Sequence, residues 1–126
     1  MDFAHELNPA QLEAATTTEG PVLVIAGAGS GKTRTIVYRL AHLVRQGVEP
    51  ASILLLTFTR KAAQEMLTRA GLLLALGAQG ISGVAGGTFH AFAFATLRRY
   101  SEAAGFPTGF TRLDARDEEV EALGYV

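Results

Sequence analysis

Cysteine is missing from all 126 residues, and this absence excludes several classes of protein. Disulfide-stapled secreted scaffolds, Cys-ligated zinc sites and thiol nucleophiles all need cysteine, so a reducing compartment fits the chain. The apolar runs Val22–Ala26 and Ile53–Leu56 fall far short of the roughly 20 residues that span a bilayer. The first residues carry none of the Lys or Arg that opens a signal peptide. We therefore expect a cytoplasmic protein with no membrane partner.

Charged residues are also sparse, at 18%, whereas hydrophobic residues make up 48%. A disordered tail needs the opposite balance, so the composition predicts one folded domain. The net charge of −1 hides an uneven distribution. Residues 1–29 carry four acids and no Lys or Arg, residues 30–100 carry nine Lys or Arg against two acids, and residues 101–126 carry six acids against two Arg. The basic middle suggests a polyanionic partner, and a solvated basic face is the alternative.

Strands alternate with helices along the chain, which predicts an α/β fold with a parallel sheet. Apolar runs predict buried strands at Val22–Ala26, Ile53–Phe58 and Val84–Phe89. The first of these is expected to be covered on both faces.

Helices are predicted between the strands from apolar residues at three- and four-residue spacing. Asn8-Pro9 predicts a capped helix start with proline at the first helical position. Gly47 and Gly71 are the expected ends of the helices that follow the first two strands. A helix is expected over His90–Tyr100, and an acidic helix over Leu113–Leu123.

The strongest motif is a glycine-rich string of eight residues, which are Ala26, Gly27, Ala28, Gly29, Ser30, Gly31, Lys32 and Thr33. It is a P-loop with Ala at the first position. The glycines let successive N–H groups converge on phosphate oxygens, and the helix that follows adds its positive end. Lys32 can reach the terminal phosphates, and the Thr33 hydroxyl can ligate Mg²⁺ held by the nucleotide. The motif predicts ATP and Mg²⁺ as cofactors; the alternative is a glycine-rich turn with an incidental lysine.

A second part of a hydrolysis site is missing from the sequence. P-loop enzymes use an acid at the end of an apolar strand to hold the magnesium shell. No run of four apolar residues is followed by Asp or Glu, and Asp114, after Phe110–Leu113, is a weak candidate. We therefore expect the 126-residue chain alone to hydrolyse ATP negligibly.

Four blocks, in this order, resemble motifs of superfamily 1 DNA helicases of the UvrD/Rep/PcrA type. Leu7–Ala14 resembles the Q motif, Ala26–Arg34 motif I, Thr57–Met66 motif Ia, and Gly87–Phe92 the DNA-contact motif that follows. The resemblance covers nearly the whole chain. It implies that residues 1–126 are a partial helicase ATP-binding domain: the amino-terminal part of a first RecA-like P-loop domain, a parallel sheet flanked by helices, truncated and without a second domain.

The resemblance also implies roles for single residues at the nucleotide. Gln11 would offer its amide to the adenine edge, and Arg34 would lie close to the nucleotide. Lys32 and Thr33 would be the catalytic residues of motif I. The alternative for Arg34 is an exposed residue in the first turn of a helix.

The implied partner is single-stranded DNA or a DNA junction, bound at the ends of the second and third strands. The candidate residues are Phe58, Thr59, Arg60, Lys61, Thr88 and His90. Hydroxyls and cations there would meet phosphates, and an aromatic ring would take a base. Arg60 stands where the family often has Asn. The alternative for Phe58 is that its ring is part of the hydrophobic core. A lone histidine such as His90 usually has a structural role.

Together these features favour an ATP-dependent DNA helicase with the 3′→5′ translocation that the resemblance implies. The alternative is a non-catalytic nucleotide- or DNA-binding module, since the magnesium-binding acid and the second domain are absent; a P-loop small-molecule kinase is a weaker one. ATPase turnover stimulated by single-stranded DNA separates the three. A truncated sheet would also leave Val22–Ala26 without a neighbour, so we expect any homo-oligomer of this chain to be an artefact.

Replacing Lys32 with alanine tests the predicted phosphate site. Lys32→Ala removes a charge aimed at the terminal phosphates, so it should weaken the binding of ATP more than that of AMP. Titration of the variant and the parent with both nucleotides measures this difference. Identical curves for Mg-ATP would contradict the prediction.

Overall fold

The computed structural model describes residues 2–29, 31–77 and 80–105. In chain order the helices and strands are α1 (Phe3–Glu6), α2 (Pro9–Thr16), α3 (Lys32–Arg45), β1 (Leu54–Thr57), α4 (Arg60–Leu73), β2 (Ala85–Thr88) and α5 (Phe89–Arg99). A short 3₁₀ turn, Pro50–Ser52, precedes β1. The chain divides into two compact units, Met1–Phe89 and His90–Val126, and α5 lies in the second unit apart from its first residue.

Helix α3 is the centre of the first unit, because α2 and α4 both pack against it. Its buried residues are Thr35, Val37, Tyr38, Leu40 and Ala41. Their spacing gives one apolar stripe, as expected for a helix that covers a core on one side. Ile36 lies outside this stripe and is 41% exposed, because the stripe is centred on Val37 and Ala41.

Both ends of α2 are satisfied by hydrogen bonds. Asn8 is its N-cap and Pro9 its first residue, which confirms the helix start predicted from the sequence. At the other end, Arg39 of α3 donates from Nη1 to the carbonyl oxygen of Ala14 at 2.7 Å and to that of Thr17. A cation on the last carbonyls of a helix satisfies groups that have no partner within the helix, so Arg39 fastens α2 to α3.

Strands β1 and β2 are parallel neighbours, with Leu54 opposite Ala85 and Thr57 opposite Thr88. Both strands were predicted, although each is shorter than its apolar run. The pairing confirms the mixed α/β class, and it brings the carboxyl ends of the two strands to one edge of the sheet.

The strand predicted at Val22–Ala26 is not present in the structure. The segment was expected to be a strand covered on both faces, but residues 21–27 carry no strand. Leu23 is 84% and Ile25 is 89% exposed. A strand needs a neighbour for its N–H and C=O groups, and the sheet formed by the described residues contains only β1 and β2. The segment therefore keeps the composition of a buried strand without the partners that would bury it.

Gly71 is a second correction, because α4 passes through it and ends at Leu73. Gly71 is buried, and a Cβ atom on it would lie 2.2 Å from the Cα atom of Gly80. This glycine is needed for the close approach of another chain segment, and the helix continues because nothing in its backbone geometry stops it.

Replacing Gly71 with alanine should therefore destabilise the protein. Backbone cannot move aside as a flexible side chain does, so we expect a loss of about 1–3 kcal/mol, the usual range for an overpacked interior. Urea unfolding measures the loss. Gly27→Ala is the control, because a Cβ atom there has nothing within 4 Å. Equal unfolding midpoints for the two variants would contradict the close approach at Gly80.

Candidate functional site

The glycine-rich loop leads directly into α3, as the sequence predicts. Gly29 has φ +76° and Gly31 has φ +83°, both in the left-handed region that favours glycine. Gly31 is the N-cap of α3, and it offers no side chain to the N–H groups of the first helical turn. Lys32 and Thr33, the first two helical residues, are exposed. Ser30 lies outside the described residues. A helix N-terminus of this kind has N–H groups and a partial positive charge ready for an anion.

Gln11 lies against this loop. Its backbone N–H donates to Asn8 Oδ1 at 2.9 Å, and its Oε1 accepts from the backbone N–H of Asn8 at 3.0 Å, which makes a capping box. The Gln11 Nε2 atom would be only 2.5 Å from a Cβ atom on Gly31. The cap thus fixes the amide, and the missing side chain of Gly31 makes room for it.

Arg34 points back to the start of the chain. Its Nη2 donates to the carbonyl oxygen of Glu6 at 2.8 Å and to Glu6 Oε2 at 3.1 Å. The Tyr38 hydroxyl donates to the same Oε2 at 3.2 Å. Burial is the main cause that raises the pKa of Tyr38 above its ordinary value, so this hydroxyl keeps its proton. Arg34 is therefore a first-turn residue with two hydrogen bonds to α1, and no pattern in the sequence identified Glu6 as its partner.

A second candidate site lies at the carboxyl ends of β1 and β2. Thr57 is buried, and its hydroxyl donates to the carbonyl oxygen of Thr59 at 2.7 Å. Thr59 in turn is the N-cap of α4, because its Oγ1 accepts from the N–H of Ala62 at 3.1 Å. Strand register places Thr88 opposite Thr57. These bonds define the turn that presents the motif between β1 and α4.

Two aromatic rings stand out from this edge. Phe58 is 92% exposed, which contradicts the alternative that it is a core aromatic. Its ring centroid lies 5.6 Å from that of Phe89, and the planes are tilted by 47°. Phe89 is half exposed and was not among the predicted site residues. The signal that would have identified Phe89 is its position at the carboxyl end of β2.

The remaining predicted DNA-binding residues are Arg60, Lys61 and His90. Arg60 is exposed in the first turn of α4, and Lys61 lies 3.9 Å from Glu65 in an exposed ion pair. His90 begins the second unit. Asp114, the candidate acid, lies outside the described residues.

Metal ligation by side chains alone has no support in the described part of the chain, where no three His, Asp or Glu residues gather. Mg²⁺ takes few protein oxygens and keeps its waters and substrate phosphates, so one exposed hydroxyl at Thr33 fits its usual needs. None of the described helices has the length and apolar character that a membrane crossing requires.

Comparison with known proteins gives a consistent family. Residues 7–123 match the UvrD/REP helicase N-terminal domain. The chain is 50% identical over 109 residues to the ATP-dependent DNA helicase PcrA of Leuconostoc citreum, covering 86% of this chain and 14% of that protein. For PcrA of Bacillus subtilis (strain 168) the identity is 45% over 113 residues, covering 89% and 15%. The chain therefore spans about one seventh of the length of these relatives.

Proposed function

The chain belongs to the UvrD/REP helicase family, and we propose that it forms the nucleotide-binding and single-stranded-DNA-binding segment of an ATP-dependent DNA helicase. The observation that carries the proposal is the glycine-rich loop at the uncapped start of α3, with Lys32 and Thr33 exposed beside it. In this proposal the loop is the P-loop of a RecA-like domain.

The nucleotide is held from two directions. Backbone N–H groups of the loop Gly27–Gly31 and of the first turn of α3 surround the phosphates, and Lys32 adds a full positive charge. Mg²⁺, when bound with the nucleotide, neutralises phosphate charge, and Thr33 supplies one oxygen to it. Gln11 holds the adenine edge through its amide. Its position beside Gly31 supports this role, because the base must lie on one side of the loop that holds the phosphates.

The DNA strand lies along the carboxyl ends of β1 and β2. Thr59, Arg60, Lys61, Thr88 and His90 contact its phosphates and sugars in this proposal. Phe58 supplies a ring for a base, supported by its exposure of 92%. Ligands of open α/β sheets bind at this edge, and stacking on aromatic rings is tolerant of sequence. The proposed 3′→5′ direction of translocation is the one that the resemblance to the family implies.

The alternative of a non-catalytic binding module remains distinguishable. Both proposals include ATP and DNA binding, but only the helicase couples them in turnover. In the protein expressed from its complete gene, we expect single-stranded DNA to stimulate ATP hydrolysis. Binding of both ligands without stimulated turnover would favour the module. That the 126-residue chain by itself hydrolyses ATP negligibly stays a prediction.

Replacing Gln11 with glutamate separates its capping bond to Asn8 from its proposed contact with adenine. Glutamate at the third helical position preserves a capping box, so the unfolding midpoint should stay close to that of the parent. The amide donor is lost, so ATP affinity should fall and the preference for ATP over GTP should narrow. Nucleotide titrations with both bases measure this. Gln46→Glu is the matched control, because it makes the same chemical change at an exposed position after α3 and should leave the preference unchanged. An unchanged preference in Gln11→Glu would contradict contact with the base.

Charge reversal at Arg60 and Lys61 tests the DNA surface. The double change to glutamate, in the complete protein, should lower the affinity for single-stranded DNA and flatten its salt dependence by about one unit of log–log slope per lost phosphate contact. ATP affinity without DNA should stay close to normal. Glutamates at Arg98 and Arg99 make the same charge change on α5, outside the predicted DNA residues, and serve as the control. Unchanged DNA binding, or a loss of ATP binding instead, would overturn the proposed DNA role.

A further inference from the structure

Glu6 is the residue that most directly determines where Arg34 lies. Arg34 Nη2 makes two hydrogen bonds to Glu6, one to its carbonyl oxygen at 2.8 Å and one to its Oε2 at 3.1 Å. The Tyr38 hydroxyl donates to the same Oε2 at 3.2 Å. The carboxylate therefore joins α1 to two side chains that lie one turn apart on α3.

Glu6 is fixed independently of this ion pair. The Phe3 ring of α1 is 4% exposed and packs edge-on against the Tyr38 ring at a centroid distance of 4.9 Å. Leu7, directly after Glu6, is 6% exposed. Two buried apolar residues thus anchor the segment on both sides of the carboxylate. Because burial of such side chains holds the backbone in place, the carbonyl oxygen of Glu6 is a fixed acceptor for Arg34, and the carboxylate starts from a fixed Cα atom.

Glu6 brings a negative charge to a region that contains two guanidinium groups. Arg34, Tyr38 and Arg69 line one cavity of about 230 Å³ between α3 and α4. Both guanidiniums act on Tyr38 electrostatically in the direction that lowers its pKa, so two like charges share this region. Glu6 acts on the pKa of Tyr38 in the opposite direction, and its carboxylate is the negative charge paired with Arg34 in this region.

We propose that Glu6 is a positioning residue for nucleotide binding: it holds the Arg34 guanidinium on the α1–α2 side of the glycine-rich loop, the side on which Gln11 also lies. The inference rests on the proposed function, in which that loop holds the phosphates of ATP. The bonds to Glu6 use Nη2 alone, and one face of the guanidinium lies over the Tyr38 ring, with its central carbon 5.2 Å from the ring centroid. In this proposal Nε, Nη1 and the opposite face are offered to the nucleoside.

If Glu6 served only to stabilise the fold, its loss would lower the unfolding midpoint and would affect ATP binding only through that loss of stability. The ion pair is half exposed, with side-chain exposures of 41% and 52%, and pairs of this kind add little to folding stability. Loss of the carboxylate should therefore leave the unfolding midpoint nearly unchanged. Its effect on ATP binding comes from the disorder that it introduces at Arg34.

The test uses the protein expressed from its complete gene, with ATP titrations and steady-state ATPase kinetics. Glu6→Ala should weaken ATP binding and raise KM for ATP by about three- to tenfold, the range of one charge-assisted hydrogen bond, with kcat nearly unchanged. Glu6→Gln keeps an acceptor and should recover part of the loss. Tyr38→Phe removes one bond to the carboxylate and should have a smaller effect in the same direction. Glu19→Ala, at an exposed acid outside the four motif blocks, is the matched control.

A double-mutant cycle decides whether Glu6 acts through Arg34. Arg34→Ala should weaken ATP binding, and Glu6→Ala added to it should cause no further loss. A full additional loss in that background, or normal affinity in Glu6→Ala while Arg34→Ala is impaired, would overturn the proposal. Should Glu6→Ala fail to fold, the same cycle is run with Glu6→Gln and decides in the same way. Lys32→Ala reports separately on the proposed function, because an unchanged affinity there would mean that the loop does not hold the phosphates at all.

Discussion

The packing of α3 between α2 and α4 is the constraint on which the first unit depends. The same helix supplies the buried stripe around Val37 and Ala41 and, at its first residue, the start of the turn that is proposed to bind the nucleotide phosphates. A helix that is fixed along its length by burial also has a fixed N-terminus. The direction of its first N–H groups is therefore determined by core residues several turns away, which is how a packed core preorganises a binding site.

Parallel pairing imposes a second constraint, at the other candidate site. Because β1 and β2 run in the same direction, the turn after β1 and the first residue after β2 meet at one edge, and Phe58 comes within 5.6 Å of Phe89. Two large rings that remain exposed at such an edge are more informative than buried ones, since folding gains little from them. The exposure of Phe58 is consistent with a ligand-facing role and not with a core role.

Local signals account for the parts of this structure that the sequence predicts well. Asn8 and Pro9 start a helix through contacts within four residues, and Gly47, with φ +93°, ends one by its own backbone freedom. Non-local contacts account for what was missed. Gly71 was predicted to end a helix, but it is a glycine because Gly80 packs closely against it. Glu6 contacts Arg34 only because α1 packs near α3. Val22–Ala26 has the composition of a strand, but strand formation needs a partner that composition does not specify.

The unpaired segment before the glycine-rich loop has a thermodynamic consequence for that loop. The loop is anchored on one side by α3, whereas on the other it continues from Val22–Ile25, whose backbone pairs with no strand among the described residues. Holding phosphate requires both ends of the loop to be in place, so the conformational entropy of the preceding segment enters the binding free energy. In the proposed function, strand pairing and phosphate binding are therefore linked equilibria: a chain segment that hydrogen-bonds to Val22–Ile25 raises the affinity of the loop for phosphate by the same factor by which phosphate favours the pairing.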